Sequence, residues 1–144
     1  MCGIYGIASL RGAPPSERRL NAMADVIVHR GPDDQGDLRD EALAMGMRRL
    51  SIIDVAGGHQ PLFNEDRSVA VVCNGEIYNF RELRQDLIAK GHRFETGSDS
   101  EVVVHLYEEE GTDFLRRLDG MFGLAVWDSR RKILVLARDR LGIK

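Results

Sequence analysis

Cysteine is scarce in this sequence of 144 residues: only Cys2 and Cys73 occur. They lie far apart and form no Cys-x-x-Cys pair, so neither a disulfide framework nor a zinc site is suggested. Positive charge is not in excess either. Twenty Lys and Arg against twenty-three Asp and Glu leave a formal charge of -3, with the arginines interleaved among acids. A nucleic acid or other polyanion is therefore not an expected partner. No apolar run approaches the roughly 20 residues that cross a bilayer, so no membrane association is expected. The apolar opening Cys2 to Leu10 has no positive residues before it and is short for a secretory segment. It is followed by Arg11, Gly12 and two prolines without a small-residue cleavage signature. The expectation is a cytoplasmic chain. With 43% hydrophobic and 30% charged residues, it should fold as one domain around a sizeable core.

Local patterns divide the chain into strands and helices. Ile4, Tyr5, Ile7 and Leu10 read as a short strand that the stretch Gly12 to Pro15 ends. A helix should follow, with Ser16 as N-cap and Leu20, Met23, Ala24 and Ile27 at helical spacing. His29 to Gly36 carries two glycines and a proline and reads as a shaped loop. Leu43 to Arg48 and Val69 to Cys73 read as strands, with a loop through Gly57 to Pro61 and a turn at Asn64 to Ser68. A second helix is expected from Asn79 as N-cap, with Glu82 completing a capping box and Gly91 as terminator. Ser98 and Glu101 suggest another capping box, opening a helix to Gly111 despite the strand character of its valines. Phe114, Leu115 and Leu118 suggest a short helix. Met121 to Trp127 and Lys132 to Ala137 form a hairpin about Asp128-Ser129-Arg130-Arg131. Strands bracket helices in blocks, which favours layered α+β over a doubly wound sheet. No repeat or low-complexity segment is present.

A cysteine at position 2 is unusual as a core residue, because chain ends are mobile and poorly packed. Removal of Met1 would place a thiol and a free α-amine on one residue. An amine with pKa of about 7.7 to 8.0 can take the thiol proton near neutral pH. Cys2 could equally be a small apolar residue in an edge strand. Position alone does not choose between them.

Five motifs occur in order: Met1-Cys2-Gly3-Ile4-Tyr5-Gly6, His29-Arg30-Gly31-Pro32-Asp33, Arg49-Leu50-Ser51-Ile52-Ile53-Asp54, Asn74-Gly75-Glu76-Ile77-Tyr78-Asn79 and Thr96-Gly97-Ser98-Asp99. Together with Gly120-Met121-Phe122 and Arg138 to Lys144, they resemble the class II, N-terminal-nucleophile glutamine amidotransferases. The resemblance is specifically to the amidotransferase domain of glutamine-hydrolysing asparagine synthetases, and it covers essentially the whole chain. It implies a four-layer αββα sandwich of antiparallel sheets. It also implies L-glutamine as substrate and Cys2 as the nucleophile that releases ammonia through a glutamyl thioester.

The family's oxyanion hole carries over to the Asn74 side chain and the Gly75 amide, although Asn-Gly after a strand would otherwise read as a turn. Arg49 matches the arginine that binds the substrate carboxylate, a role suited to a planar guanidinium. Glu76 and Asp99 match the acids that bind its ammonium. The backbone of Arg49, Leu50, Ser51, Ile52 and Ile53 should line the same pocket. Taken singly, Arg49 would read as a surface charge, Glu76 as a turn residue and Asp99 as a helix-start residue.

The acids of His29 to Asp34 do not follow calcium-loop spacing and include one histidine, so no metal is expected there. That segment resembles a pocket frame without a catalytic step. His59, His92 and His105 are scattered and receive no role, and Cys73 reads as buried and inert. In the family a second domain binds ATP and Mg and amidates aspartate. Neither a Gly-rich phosphate loop nor a Ser-Gly-Gly motif occurs in this chain, so no cofactor is expected within it. The chain is expected to be an incomplete domain, lacking the last strands of the sandwich and working with a synthetase domain or subunit. Self-association as a homo-oligomer is left open by the sequence. Competing readings are a truncated, non-catalytic glutamine-binding or partner-binding domain, and an amidotransferase serving a different acceptor.

Overall fold

The computed structural model describes residues 2–10, 13–50 and 58–144. Chain order is β1 (Gly3–Ala8), α1 (Glu17–Val26), β2 (Asp34–Arg39), β3 (Leu43–Arg49), β4 (Leu62–Phe63), β5 (Val69–Ile77), α2 (Phe80–Ala89), α3 (Val102–Glu110), β6 (Gly120–Asp128) and β7 (Ile133–Arg138). Short 3-10 turns join α1 to β2 at Val28–Arg30, lead into α3 at Asp99–Glu101 and leave it at Gly111–Arg116. All strand pairs are antiparallel, in one sheet of order β1-β3-β2 and another of order β4-β5-β6-β7.

Strand alternation explains the layering. In β5, Val69, Val71, Cys73 and Ile77 point to one face and join Leu83 and Leu87 of α2, with Val103, Leu106 and Tyr107 of α3, in one apolar cluster. Ala70 and Val72 point to the other face, where they meet Leu43, Met45 and Met47 of β3 and Ala125 and Trp127 of β6. On the far side of the first sheet, Leu20 and Ala24 of α1 pack on Tyr5 and Ala44. The result is helix, sheet, sheet, helix: the α+β sandwich expected. Full burial of a side chain such as Leu87 stabilises the fold by about 1.5–3 kcal/mol. Trp127 adds a polar tie between the sheets, its Nε1 donating to Asp40 Oδ2 at 2.9 Å.

Several local expectations are corrected. Residues 34–36 were expected in the loop from His29 to Gly36, yet they open β2, a polar strand over Asp34–Arg39 that pairs with β3 along its whole length. Asn74-Gly75 is not a turn. β5 runs through it to Ile77 because β6 continues opposite it, with Asn74 facing Gly123 and Gly75 facing Phe122. A Cβ at Gly75 would overlap the Met121 carbonyl oxygen, so this close approach requires glycine.

Ser16 and Asn79 occupy N-cap positions without capping through their side chains. Asn79 instead donates to Arg117 O at 2.9 Å and accepts from Asp119 N at 3.0 Å. At Ser98 the hydroxyl does accept from Ser100 N. Glu101 turns away from a capping box to accept from Glu95 N and Thr96 N. The valines of α3 are helical because Val102, Val103 and Val104 are all fully buried, and packing on every side overrides their strand preference. β7 is an edge among the described residues, with Leu136 71% exposed.

Candidate active site

Where the two sheets and the 3-10 turn before α3 converge, a cavity of about 260 Å³ opens. Cys2, Arg49, Leu50, Asn74, Gly75, Glu76 and Asp99 all line it. These residues come from the start of the chain, the end of β3, the late part of β5 and the turn opening toward α3. Ser51, Ile52 and Ile53, the other expected pocket residues, lie outside the described residues.

Cys2 enters just ahead of β1, which antiparallel pairing aligns with the end of β3 through Gly3 and Arg48. Its Sγ accepts from Leu50 N at 3.3 Å and lies 3.6 Å from Leu50 O. The backbone carbonyl of Cys2 is held by Arg30 Nε at 3.1 Å. Arg30 belongs to the His29-Arg30-Gly31-Pro32-Asp33 segment, which thus frames the cavity through backbone contacts. A Cβ at Gly31 would overlap the backbone of Arg48 and Arg49, and Asp33 N donates to Arg49 O at 3.2 Å.

By strand alternation, Asn74 and Glu76 share the inter-sheet face with Ala70 and Val72, the side against which Cys2 packs. Gly75 lies between them and lines the cavity without a side chain to fill it. Asp99 is buried and accepts from Ile77 N at 2.7 Å, which fixes its carboxylate at the end of β5. Burial pushes the Asp99 carboxyl above its ordinary value and the nearby Glu76 charge adds to this, while amide donors from Ile77 and Ser100 oppose it. Two acids and the buried Arg49 in the same lining give the cavity side chains of both charge signs.

Gln60, Cys73, Ser98, Ser100, Met121 and Lys144 also line the cavity, and sequence reasoning had given none of them a place there. Gln60 sits in a segment read as a loop. Its side-chain amide pairs with Cys73, accepting from Cys73 N at 2.7 Å and donating to Cys73 O at 3.2 Å, as a strand neighbour would. Lys144 is brought in by Asp139, which accepts from the amides of Phe122, Leu141, Ile143 and Lys144. Those amide donors hold the Asp139 carboxyl down to about 2. Cys73 is buried and its thiol is pushed up to about 12 by that burial, so it stays protonated near neutral pH, as expected of an inert cysteine.

A small cavity lined by a half-buried thiol, an arginine and a pair of acids suits a small zwitterion with a third reactive group. The family model described as a glutamine amidotransferase domain matches residues 1–144. Asparagine synthetase (glutamine-hydrolysing) 2 of Bacillus subtilis (strain 168) is 48% identical over 148 residues, covering 100% of this chain and 19% of the relative. The asparagine synthetase of Asparagus officinalis is 45% identical over 144 residues, covering 99% of this chain and 24% of the relative. The chain thus spans about a fifth to a quarter of the length of these relatives. Among solved structures, glutamine phosphoribosylpyrophosphate amidotransferase from B. subtilis, complexed with ADP and GMP, matches with a TM-score of 0.59 and 25% identity. That match covers 74% of this chain and 25% of the other. On a match that extends over every residue, the chain belongs to the glutamine amidotransferase domain family.

Proposed function

We propose that this chain hydrolyses glutamine to glutamate and ammonia, with Cys2 as the N-terminal nucleophile. The convergence of Cys2, Arg49, Asn74, Gly75, Glu76 and Asp99 on one cavity carries the reading. After loss of Met1, the α-amine of Cys2 takes the thiol proton and Sγ attacks the side-chain amide carbon of glutamine. Charge develops on the amide oxygen, where the Asn74 side-chain amide and the Gly75 N–H act as donors. The amine then protonates the leaving nitrogen, the C–N bond breaks and ammonia departs, leaving a γ-glutamyl thioester. Water attacks the thioester with the amine again as base, and glutamate and the free thiol are regenerated. Arg49 binds the α-carboxylate of glutamine, and Glu76 with Asp99 binds its α-ammonium.

Raised Asp99 gives this reading a pH signature. Folding favours the neutral acid, so ionised Asp99 costs stability at neutral pH, and that cost disappears as pH falls through its raised value. An ammonium needs the ionised form. KM for glutamine should therefore rise as pH falls through the Asp99 value, at a pH higher than an ordinary aspartate would give, and Asp99→Asn should hold KM at the low-pH wild-type level throughout, removing that limb. A KM limb retained in Asp99→Asn would contradict the assignment. Ammonia release from glutamine alone tests the function itself. Release at the level of a boiled control would leave only binding of glutamine or of a partner.

The ammonia, on this proposal, feeds ATP-dependent amidation of aspartate by a synthetase domain outside this chain, where ATP and Mg would bind. The 44–48% identity to asparagine synthetases, against 25% to the phosphoribosylpyrophosphate enzyme, supports that acceptor over another. A cytoplasmic setting belongs to the same proposal: both cysteines are free thiols, as a reducing compartment would keep them. Among the described residues, no helix is long and apolar enough to cross a membrane.

A further inference from the structure

His105 on α3 is fully buried, and neither of its ring nitrogens has a hydrogen-bond partner. A buried polar side chain without partners is costly unless something else satisfies it. Its Nδ1 stands 3.6 Å from Glu65 Oε2 and 3.5 Å from Glu108 Oε2. The Nδ1 of His92 stands 3.6 Å from Glu65 Oε1 and 3.7 Å from Glu108 Oε2. One ligand atom from each of these four side chains can be chosen so that all lie within 4.8 Å of one another.

These separations are too long for hydrogen bonds, whose N···O distances are about 2.7–3.2 Å. They are close to the roughly 3.3 Å edge of a tetrahedron whose metal–ligand bonds are about 2.0–2.1 Å. Two carboxylates also supply the charge that balances a divalent ion, and two imidazoles suit one of borderline softness. We propose that Glu65, His92, His105 and Glu108 form a closed structural site for a zinc-class divalent metal ion.

Hydrogen-bond partners hold three of the four groups in place, and burial in α3 packing holds His105. Glu65 Oε1 accepts from Arg93 N at 2.8 Å, Glu108 Oε1 accepts from Asn64 Nδ2 at 2.7 Å, and His92 Nε2 lies 3.2 Å from Glu109 Oε1. A carboxylate or amide behind a ligand is the usual support for metal-binding side chains, and Glu65, Glu108 and His92 have one. His105 and Glu108 share one face of α3 at i,i+3 spacing. Glu65 comes from the turn between β4 and β5, and His92 from the connection after α2. A bound ion would therefore pin three separate segments together. None of the four residues lines the Cys2 cavity, and four protein ligands leave no open position for catalysis. The sequence hid this site because its ligands are spread over 44 positions, from 65 to 108, without any short metal motif.

The test uses the untagged chain, stripped with a chelator, reloaded with Zn²⁺, passed through gel filtration and assayed by elemental mass spectrometry. One zinc per chain should remain, and saturating Zn²⁺ should raise Tm by about 5 °C or more. The double variant Glu65→Gln/Glu108→Gln keeps an acceptor oxygen for Arg93 N and Asn64 Nδ2, so its fold should survive while zinc affinity falls by about 100-fold or more. Cys2→Ala should keep its full equivalent of zinc, which separates this site from the thiol. Zinc-free wild-type protein after gel filtration, equal retention by the double variant, or loss of zinc in Cys2→Ala would each overturn the proposal.

Discussion

Replacing Cys2 with alanine should lower ammonia release from glutamine by about 10⁴-fold or more while leaving thermal unfolding within a few degrees of wild type. The kinetic effect is large because the residue would supply both nucleophile and base, and removing either alone stops the same step. The structural effect is small because the side chain is only half-buried and loses one sulfur atom at a cavity wall. Its amide donor among the described residues, Leu50 N, can turn to solvent in the opened cavity. Steady-state ammonia assays and a thermal melt on the same preparation measure both. A variant with more than about a tenth of wild-type activity would remove Cys2 from the chemistry.

Asn74→Ala should lower kcat by about 10²–10³-fold and change KM far less. An oxyanion donor acts mainly on charge that appears after substrate has bound, so its loss is felt in the transition state. β5 should tolerate the change, because Asn74 lies at the rim of the inter-sheet core and the flanking ladder to Gly123 is carried by backbone groups. Equal losses in kcat/KM through KM alone would instead make Asn74 a ground-state binding residue.

Much of the site was legible because its residues sit in ordered motifs, and strand register then carries them together. Cys2 and Arg49 are 47 positions apart in sequence yet close in space, since β1 and β3 pair antiparallel with Gly3 against Arg48. Asn74 and Glu76 were readable as site residues but not as strand residues. Asn-Gly is a strong turn signal, and only the neighbouring β6, with Gly120 and Gly123 opposite Ile77 and Asn74, keeps the backbone extended there.

β2 escaped notice because Asp34, Gly36, Asp37 and Arg39 lack the apolar alternation that marks a strand; its pairing with β3 decides its state. Gln60 and Lys144 escaped for a different reason. Each reaches the cavity through a long-range polar contact, to Cys73 and to Asp139 respectively, that no local pattern encodes. Capping boxes at Asn79 and Ser98 failed because competing partners took the side chains: Asn79 ties to Arg117 and Asp119, and Glu101 to Glu95 and Thr96.

Cys2 and Cys73 both face the question of which thiol is the nucleophile, and their surroundings separate them. Cys73 is buried with its thiol pushed up to about 12, whereas Cys2 is partly exposed with an amide donor on its sulfur. Intact and peptide mass spectrometry after treatment with a glutamine-like electrophile measures this directly. The expected result is one adduct per chain on Cys2, at an N-terminus from which Met1 has been removed, with Cys73 unmodified. An adduct on Cys73, or an active preparation that retains Met1, would contradict the N-terminal-nucleophile mechanism.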